Sequence, residues 1–135
     1  MIVEIKQREW AKGDCGVACV AMVTEKSYKT VKAEFFERNL IDNDGNYHTF
    51  HKDLIGLLEG FGFSAKRKMF KSWKEVKTPA IVKINLRKGN YWHWVVLIER
   101  NGKKIMFDPN PKAPEGITSF RGKKGSGQYL FIEKC

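Results

Sequence analysis

The sequence contains little cysteine, with only three Cys at positions 15, 19 and 135 among 135 residues. An odd count does not make a disulfide framework, and the chain has no CxxC pair or Cys/His quartet of the kind that binds structural zinc. No run approaches the roughly 18 consecutive apolar residues that a membrane span needs. The N-terminus also lacks the layout of a signal peptide. We therefore expect no metal or other cofactor, no membrane span and a cytoplasmic location.

Acidic residues are also few, with 15 Asp and Glu against 25 Lys and Arg, so the formal net charge is +10. The basic residues are scattered along the chain and form no single block. A surface of one sign attracts polyanions without specific contacts. The charge therefore fits weak binding of acidic proteins or nucleic acid, and it fits a solvated basic surface as well.

The length of 135 residues indicates one domain, residues 1–135, and 42% hydrophobic residues can fill its core. The first half has helical periodicity. Asp14, Ser27 and Thr49 are placed as N-caps of three helices that run to about residues 23, 35 and 61. The first of these helices is apolar nearly all round, which predicts that it is buried at the centre of the fold.

The second half has the composition of β-strands, rich in β-branched and aromatic residues. Asn101-Gly102 is a strong signal for a two-residue hairpin turn. A loop rich in Gly and Lys at residues 121–127 is expected to be mobile. Helices followed by an antiparallel sheet predict an α+β domain, with strands at residues 80–86, 93–99, 104–108 and 128–133.

Cys15 lies at the predicted first turn of the buried helix, directly after Asp14. Unpaired backbone N–H groups and the positive end of the helix dipole favour the nucleophilic thiolate at such a position. The N–H of Cys15 can also contribute to an oxyanion hole, and Gly16 would let a substrate carbonyl approach the backbone. A cysteine at a helix start is by itself a weak signal, because most free cysteines are small buried hydrophobes.

A nucleophilic thiolate needs an imidazole partner, and the imidazole needs a third group that fixes its tautomer. His93 opens one strand of the predicted hairpin and Asp108 closes the other. With the turn at Asn101-Gly102, facing positions sum to about 203, so His93 opposes Asn110 and Asp108 is two residues away. A bulge or diagonal contact would bring the two side chains together.

Several segments resemble the C39 peptidases, the papain-like cysteine peptidases that cut double-glycine leaders from bacteriocin precursors. Residues 14–23 (DCGVACVAMV) resemble the family's nucleophile segment, and residues 54–63 (LIGLLEGFGF) resemble its helix that ends in Gly-Phe. Residues 78–82 (TPAIV) and 93–98 (HWVVLI) resemble its first sheet strand and its histidine strand. Phe107-Asp108-Pro109 resembles its aspartate-proline, so the similarity spans nearly the whole chain.

This resemblance implies a papain-like fold in which the nucleophile lies on the central helix and packs on the antiparallel sheet. It implies Cys15 as nucleophile, His93 as general base and acid, and Asp108 as the residue that orients His93. It also implies a glutamine upstream that donates its amide to the oxyanion. Gln7 is the only glutamine before Cys15, but it lies eight residues away, about two more than the resemblance suggests. The segment from residue 9 to 13 must bulge if Gln7 has this role.

Other residues have less definite expected roles. Trp92 and Trp94 flank His93, and either can line a substrate cleft or pack in the core. Cys19 is expected in the core, and Cys135 is expected to be exposed. His48 and His51 match no compact metal site.

The function that these residues favour is hydrolysis of a peptide or isopeptide bond in a peptide or protein, through a thioester on Cys15. A glutamine deamidase or acyl transferase would use the same three groups and is the first alternative. A non-catalytic module that binds a polyanion through its basic face is the second. A free-standing hydrolase of this kind can also require an inhibitor protein.

Overall fold

The computed structural model describes residues 1–87 and 91–135. Three α-helices come first and five β-strands follow, which confirms the predicted α+β class. A short 3-10 turn at Trp10–Lys12 precedes the first helix, and another at Trp73–Glu75 lies between the first two strands. The elements are α1 (Cys15–Thr24), α2 (Tyr28–Glu37), α3 (His51–Gly60), β1 (Phe63–Met69), β2 (Ala80–Arg87), β3 (Tyr91–Arg100), β4 (Lys103–Phe107) and β5 (Gln128–Lys134).

The helix α1 is the centre of the fold, as its composition predicts. Every one of its residues is buried. It packs against α2, α3 and β3, so an apolar surface is covered on each side. Burial of this kind contributes roughly 25 cal/mol for each Å² of apolar surface removed from water. The helix that carries Cys15 is therefore a rigid base for that side chain.

The five strands form one antiparallel sheet in the order β1-β5-β2-β3-β4. The last strand in sequence lies between β1 and β2, so the two ends of the strand region meet inside the sheet. One large core lies between the helices and the sheet. A smaller core contains Val82, Val95, Leu97, Met106 and Tyr129, with Trp73 and Phe120 packed against it.

The hairpin of β3 and β4 has the predicted register. Val96 pairs with Phe107, and Arg100 pairs with Lys103, so the facing positions sum to 203. Asn101 and Gly102 both have positive φ, at 53° and 76°, as a type I′ turn requires. The regular pairing ends at Phe107, and the chain is free to turn there.

Two features of the local structure differ from the prediction. The strand β1 was not predicted, because its run of Lys66, Arg67 and Lys68 hides the strand pattern. Thr49 does not cap α3, which begins at His51. The N–H of Phe50 instead donates to the carboxylate of Asp53 at 2.9 Å.

Asp14 stands at the N-cap position of α1, but its side chain makes no capping hydrogen bond. The loop at residues 121–127, which was expected to be mobile, makes hydrogen bonds to other parts of the fold. The indole of Trp73 donates to the carbonyl of Lys123 at 2.9 Å, and the N–H of Asn85 donates to the carbonyl of Lys124 at 2.8 Å. These bonds attach the loop to the sheet.

No helix in the described ranges, 1–87 and 91–135, has both the length and the apolar character needed to cross a membrane.

The two tryptophans beside His93 differ in what they contribute to the fold. Trp94 is 1% exposed, whereas Trp92 is only partly buried. We expect Trp94→Ala to lower the free energy of unfolding by about 3–5 kcal/mol. Trp92→Ala should cost about 1 kcal/mol, because less of its surface leaves water on folding. Urea unfolding followed by far-UV circular dichroism measures both, and an equal or larger loss for Trp92→Ala would contradict the assignment of Trp94 to the core.

Candidate active site

Cys15 is the first residue of α1 and is 9% exposed. Its position at the helix start means that backbone N–H groups of the first turn have no partner within the helix. The positive end of the helix dipole lies there as well, and it stabilises negative charge on sulfur. The thiol therefore lies at the start of a buried helix, where a small part of it still reaches the surface.

Asp108 follows the last residue of β4 and is only 3% exposed. Its Oδ1 accepts a hydrogen bond from Nε2 of His93 at 2.6 Å. The same oxygen accepts the backbone N–H of Asn110 at 2.9 Å. The predicted contact between His93 and Asp108 is therefore present, and it forms where the regular pairing of the hairpin has ended.

The ring of His93 is bonded to Asp108 and is close enough to Cys15 for the thiol to influence its pKa. Because a carboxylate only accepts, Nε2 of His93 carries the hydrogen in this contact, and Nδ1 is the nitrogen left for the thiol. Burial alone would lower the pKa of His93, but hydrogen bonds with Asp108 and Cys15, and attraction to their negative charge, raise it to about 9. The side chain is 24% exposed, so a substrate can reach it.

The carboxylate of Asp108 is held in its charged form. Burial would raise the pKa of Asp108, but the hydrogen bond and charge of His93, the N–H of Asn110 and the charge of Lys123 lower it to about 2. Lys123 reaches Oδ2 of Asp108 with its Nζ at 3.3 Å. Lys123 was not predicted to belong to the site, because its only signal in the sequence is a basic side chain within a glycine-rich loop.

Gln7 is attached to both sides of this arrangement. Its backbone N–H donates to the carbonyl of Pro109 at 2.8 Å, next to Asp108. Its side-chain Nε2 donates to Oδ1 of Asp14 at 2.9 Å, next to Cys15. The residue is 7% exposed. Gln7 thus lies between Asp14, which directly precedes Cys15, and Pro109, which directly follows Asp108.

The chain between Gln7 and Cys15 makes the bulge that the long spacing requires. Trp10–Lys12 forms a 3-10 turn, and Gly13 after it has a φ of 79°. This left-handed conformation costs glycine little and other residues more. The turn takes up the additional residues and lets Asp14 return to Gln7.

The structure does not support substrate contact for every residue proposed from sequence. Trp94 is buried in the main core, which leaves no surface for a substrate, so the prediction of a cleft role was wrong for Trp94. Gly16 is buried, and a Cβ there would meet the side chain of Thr49 at 3.3 Å. Close packing of α1 on the start of α3 explains this glycine better than an approaching carbonyl does.

Trp92 keeps part of its surface and borders an exposed aromatic side chain. Its ring lies 5.4 Å from that of Phe50, which is 51% exposed. The Nζ of Lys83 lies 5.2 Å from the centre of the Trp92 ring. Trp92, unlike Trp94, thus keeps surface that a ligand can contact.

The remaining two cysteines and two histidines make no hydrogen bond to His93 or Asp108 within the described residues. Cys19 is in the core, as expected, and its burial raises the pKa of its thiol. Cys135 is exposed. The Nε2 of His48 lies 2.8 Å from the carboxylate of Asp42, and the Nε2 of His51 lies 2.7 Å from the carbonyl of Gln128.

Comparison with known proteins gives a family and a shared fold. Residues 5–120 match the peptidase C39 family, and no curated protein matches the chain. The chain is 22% identical to a double glycine motif protease from an AMS/PCAT transporter, solved with its leader peptide, with a TM-score of 0.71 and coverage of 100% of this chain and 93% of that one.

Two further solved structures have the same fold. The peptidase domain of Streptococcus mutans ComA is 17% identical, with a TM-score of 0.62 and coverage of 96% of this chain and 98% of that one. The N-terminal peptidase C39-like domain of a toxin secretion ATP-binding protein from Vibrio parahaemolyticus is 18% identical, with a TM-score of 0.60 and coverage of 90% and 98%.

The family match covers most of the chain, and the shared fold extends over nearly all of it. Both confirm the resemblance that the sequence segments indicate. The chain belongs to the peptidase C39 family and is a cysteine peptidase.

Proposed function

We propose that the chain hydrolyses a peptide bond through a thioester on Cys15, with His93 and Asp108 completing a catalytic triad. The observation that carries this proposal is the hydrogen bond of 2.6 Å between His93 and the buried carboxylate of Asp108, together with the effect of Cys15 in raising the pKa of His93. A thiolate beside an imidazolium is the form in which cysteine attacks a carbonyl. The buried carboxylate keeps the ring in one tautomer and one orientation.

The reaction proceeds in two steps. The Sγ of Cys15 attacks the scissile carbonyl carbon, the C–N bond breaks, and His93 gives its proton to the leaving amine. The product is a thioester and a free amine. His93 then takes a proton from water, whose oxygen attacks the thioester, and the acid product leaves as the thiolate of Cys15 is restored.

The negative oxygen formed in each step needs donors. The backbone N–H of Cys15 is one, and we assign the second to Nε2 of Gln7. An amide nitrogen has two hydrogens, and the bond to Asp14 uses one of them. A preorganised donor of this kind lowers the barrier by about 2.7–4 kcal/mol.

A peptide with a double-glycine motif is the substrate class we propose. The related protease from an AMS/PCAT transporter was solved in complex with a leader peptide, which supports a peptide ligand for this fold. The partly buried Trp92 and the exposed Phe50 beside His93 offer an apolar surface for such a ligand. The basic surface would favour a substrate with acidic side chains.

The first test is cleavage of a double-glycine peptide by variants of the three groups, followed by mass spectrometry. Cys15→Ser should reduce the rate to background, because the nucleophile is lost. His93→Ala should reduce kcat by about 10²- to 10⁴-fold, as expected for loss of a general acid and base. Cys135→Ser and His48→Ala change exposed residues of the same types and should retain full activity.

The same experiment distinguishes the alternative functions. Ammonia released from a glutamine substrate, without new peptide termini, would replace the peptidase assignment with a deamidase. Full activity of Cys15→Ser would remove the thioester mechanism altogether. If no substrate is cleaved and salt-sensitive retention on DNA persists in Cys15→Ala, the basic binding module is favoured.

A second test follows the titration of His93 by NMR. With its pKa raised to about 9, the imidazolium persists through neutral pH. The stabilisation of the folded protein by this positive charge is complete below pH 6.5, the ordinary pKa of histidine, and it is lost as the pH rises through the raised pKa of about 9.

Asp108→Asn removes the negative charge next to the ring, so the pKa of His93 should fall by about 1–3 pH units. Asp44→Asn removes the same charge from an exposed turn and should leave the His93 titration unchanged. A titration of His93 that is the same in Asp108→Asn as in the wild type would contradict the coupling of the two side chains.

A further inference from the structure

Asp14 carries a carboxylate that is completely buried beside Cys15. Its Oδ1 accepts the amide Nε2 of Gln7 at 2.9 Å. Its Oδ2 accepts the backbone N–H groups of Arg8 and Glu9 at 3.0 and 3.1 Å, and also the hydroxyl of Tyr28. None of these bonds caps α1, although the residue stands at the cap position.

A buried carboxylate is costly unless donors replace the lost water, and the cost is several kcal/mol for an ion in the interior. Asp14 meets this requirement with charge-assisted bonds. Most of the donors come from residues 7–9, so the carboxylate connects the start of α1 to that one segment. Tyr28 on α2 is the donor from elsewhere. Burial and the hydrogen bond to Asp14 raise the pKa of Tyr28, so its hydroxyl stays protonated and donates.

The charge of Asp14 also decides how the Gln7 amide is turned. A carboxylate accepts and never donates, so only the NH₂ end of the amide can face it. The reverse orientation would place the amide oxygen against the carboxylate. In the observed orientation Oε1 of Gln7 is buried, and it has no hydrogen-bond partner among residues 1–87 and 91–135.

A buried acceptor without a hydrogen-bond partner destabilises the conformation that buries it. The hydrogen bond to Asp14 therefore stabilises this orientation of the Gln7 amide by more than the unpartnered Oε1 destabilises it. The second hydrogen on Nε2 is the remaining donor of the Gln7 side chain. Its direction is set by the bond that the first hydrogen makes.

We propose that Asp14 is a positioning residue, which fixes the Gln7 amide so that its free N–H serves the oxyanion, while Tyr28 holds the carboxylate of Asp14 in place. This inference rests on the proposed function, because it assumes that Gln7 stabilises the oxyanion. In this proposal Asp14 affects the catalytic rate only through the position of the Gln7 amide.

A double-mutant cycle on the cleavable double-glycine peptide tests the dependence. Gln7→Ala should lower kcat by about 10²- to 10³-fold. Asp14→Asn keeps the shape of the side chain but replaces one acceptor with a donor, and should lower kcat by about tenfold, with KM changed less than about twofold. Combined with Gln7→Ala, it should lower kcat by no more than about a further twofold. Asp44→Asn, at an exposed carboxylate, should leave both constants unchanged.

The possible outcomes test the role of Gln7 and the role of Asp14 separately. Full activity of Gln7→Ala overturns the oxyanion assignment of Gln7 and, with it, the role of Asp14. Loss in Gln7→Ala together with a multiplicative further loss from Asp14→Asn overturns the role of Asp14 alone. An unchanged kcat in folded Asp14→Asn does the same.

Tyr28→Phe provides a second variant if Asp14→Asn does not fold. It removes one hydrogen bond to Asp14 and keeps both the ring packing and the carboxylate. We expect kcat to fall by about two- to fivefold in the wild type, and by less than about 1.5-fold in Gln7→Ala. Alkylation of Cys15 by iodoacetamide needs no oxyanion donor, so its rate should be unchanged. A slower alkylation, or equal losses of kcat in both backgrounds, would show a general disturbance of α1 and overturn the proposal.

Discussion

The hydrogen bond between Asp108 and His93 is the contact on which the arrangement of the site depends. Asp108 loses almost all of its water on folding, and its charge must be met by donors that the fold supplies. His93, the N–H of Asn110 and Lys123 provide them. Because three donors hold its two oxygens, the carboxylate is fixed in position, and the imidazole bonded to it is fixed in orientation.

The N-terminal segment binds both halves of the site together. Lys6 donates from its Nζ to the carbonyls of Asp108 and Ala113, at 2.8 and 3.1 Å. Gln7 bonds to Pro109 through its backbone and to Asp14 through its side chain. A segment without helix or strand thus connects the loop after β4 to the start of α1. The same few residues hold the carboxylate loop and reach the helix that carries the thiol.

The sequence allowed the helices, four of the five strands and the pairing of His93 with Asp108 to be predicted, for physical reasons. The turn at Asn101-Gly102 fixes the register of the hairpin, and the register places the two residues near each other. The apolar composition of α1 likewise leaves burial as the only stable position for that helix.

What the sequence did not show depends on contacts between distant residues. Lys66 and Lys68 give β1 a polar pattern, and the strand is stabilised by pairing with β5, which lies at the other end of the chain. A cap and a buried carboxylate look the same at position 14, because both are an Asp before a helix. Lys123 had no visible partner until its loop was attached to Trp73 and Asn85.

The separation of Cys15 from Asp108 along the chain also affects how the protein is made. Roughly 90 residues lie between the thiol at Cys15 and the carboxylate at Asp108, which at about 5–20 residues per second is about 5–20 s of ribosomal synthesis. Throughout that interval the nascent chain contains Cys15 but not yet Asp108, and for most of it His93 is missing as well. Any hydrolytic capacity therefore arises late, after the ribosome has passed Asp108, and not while the polypeptide is still short.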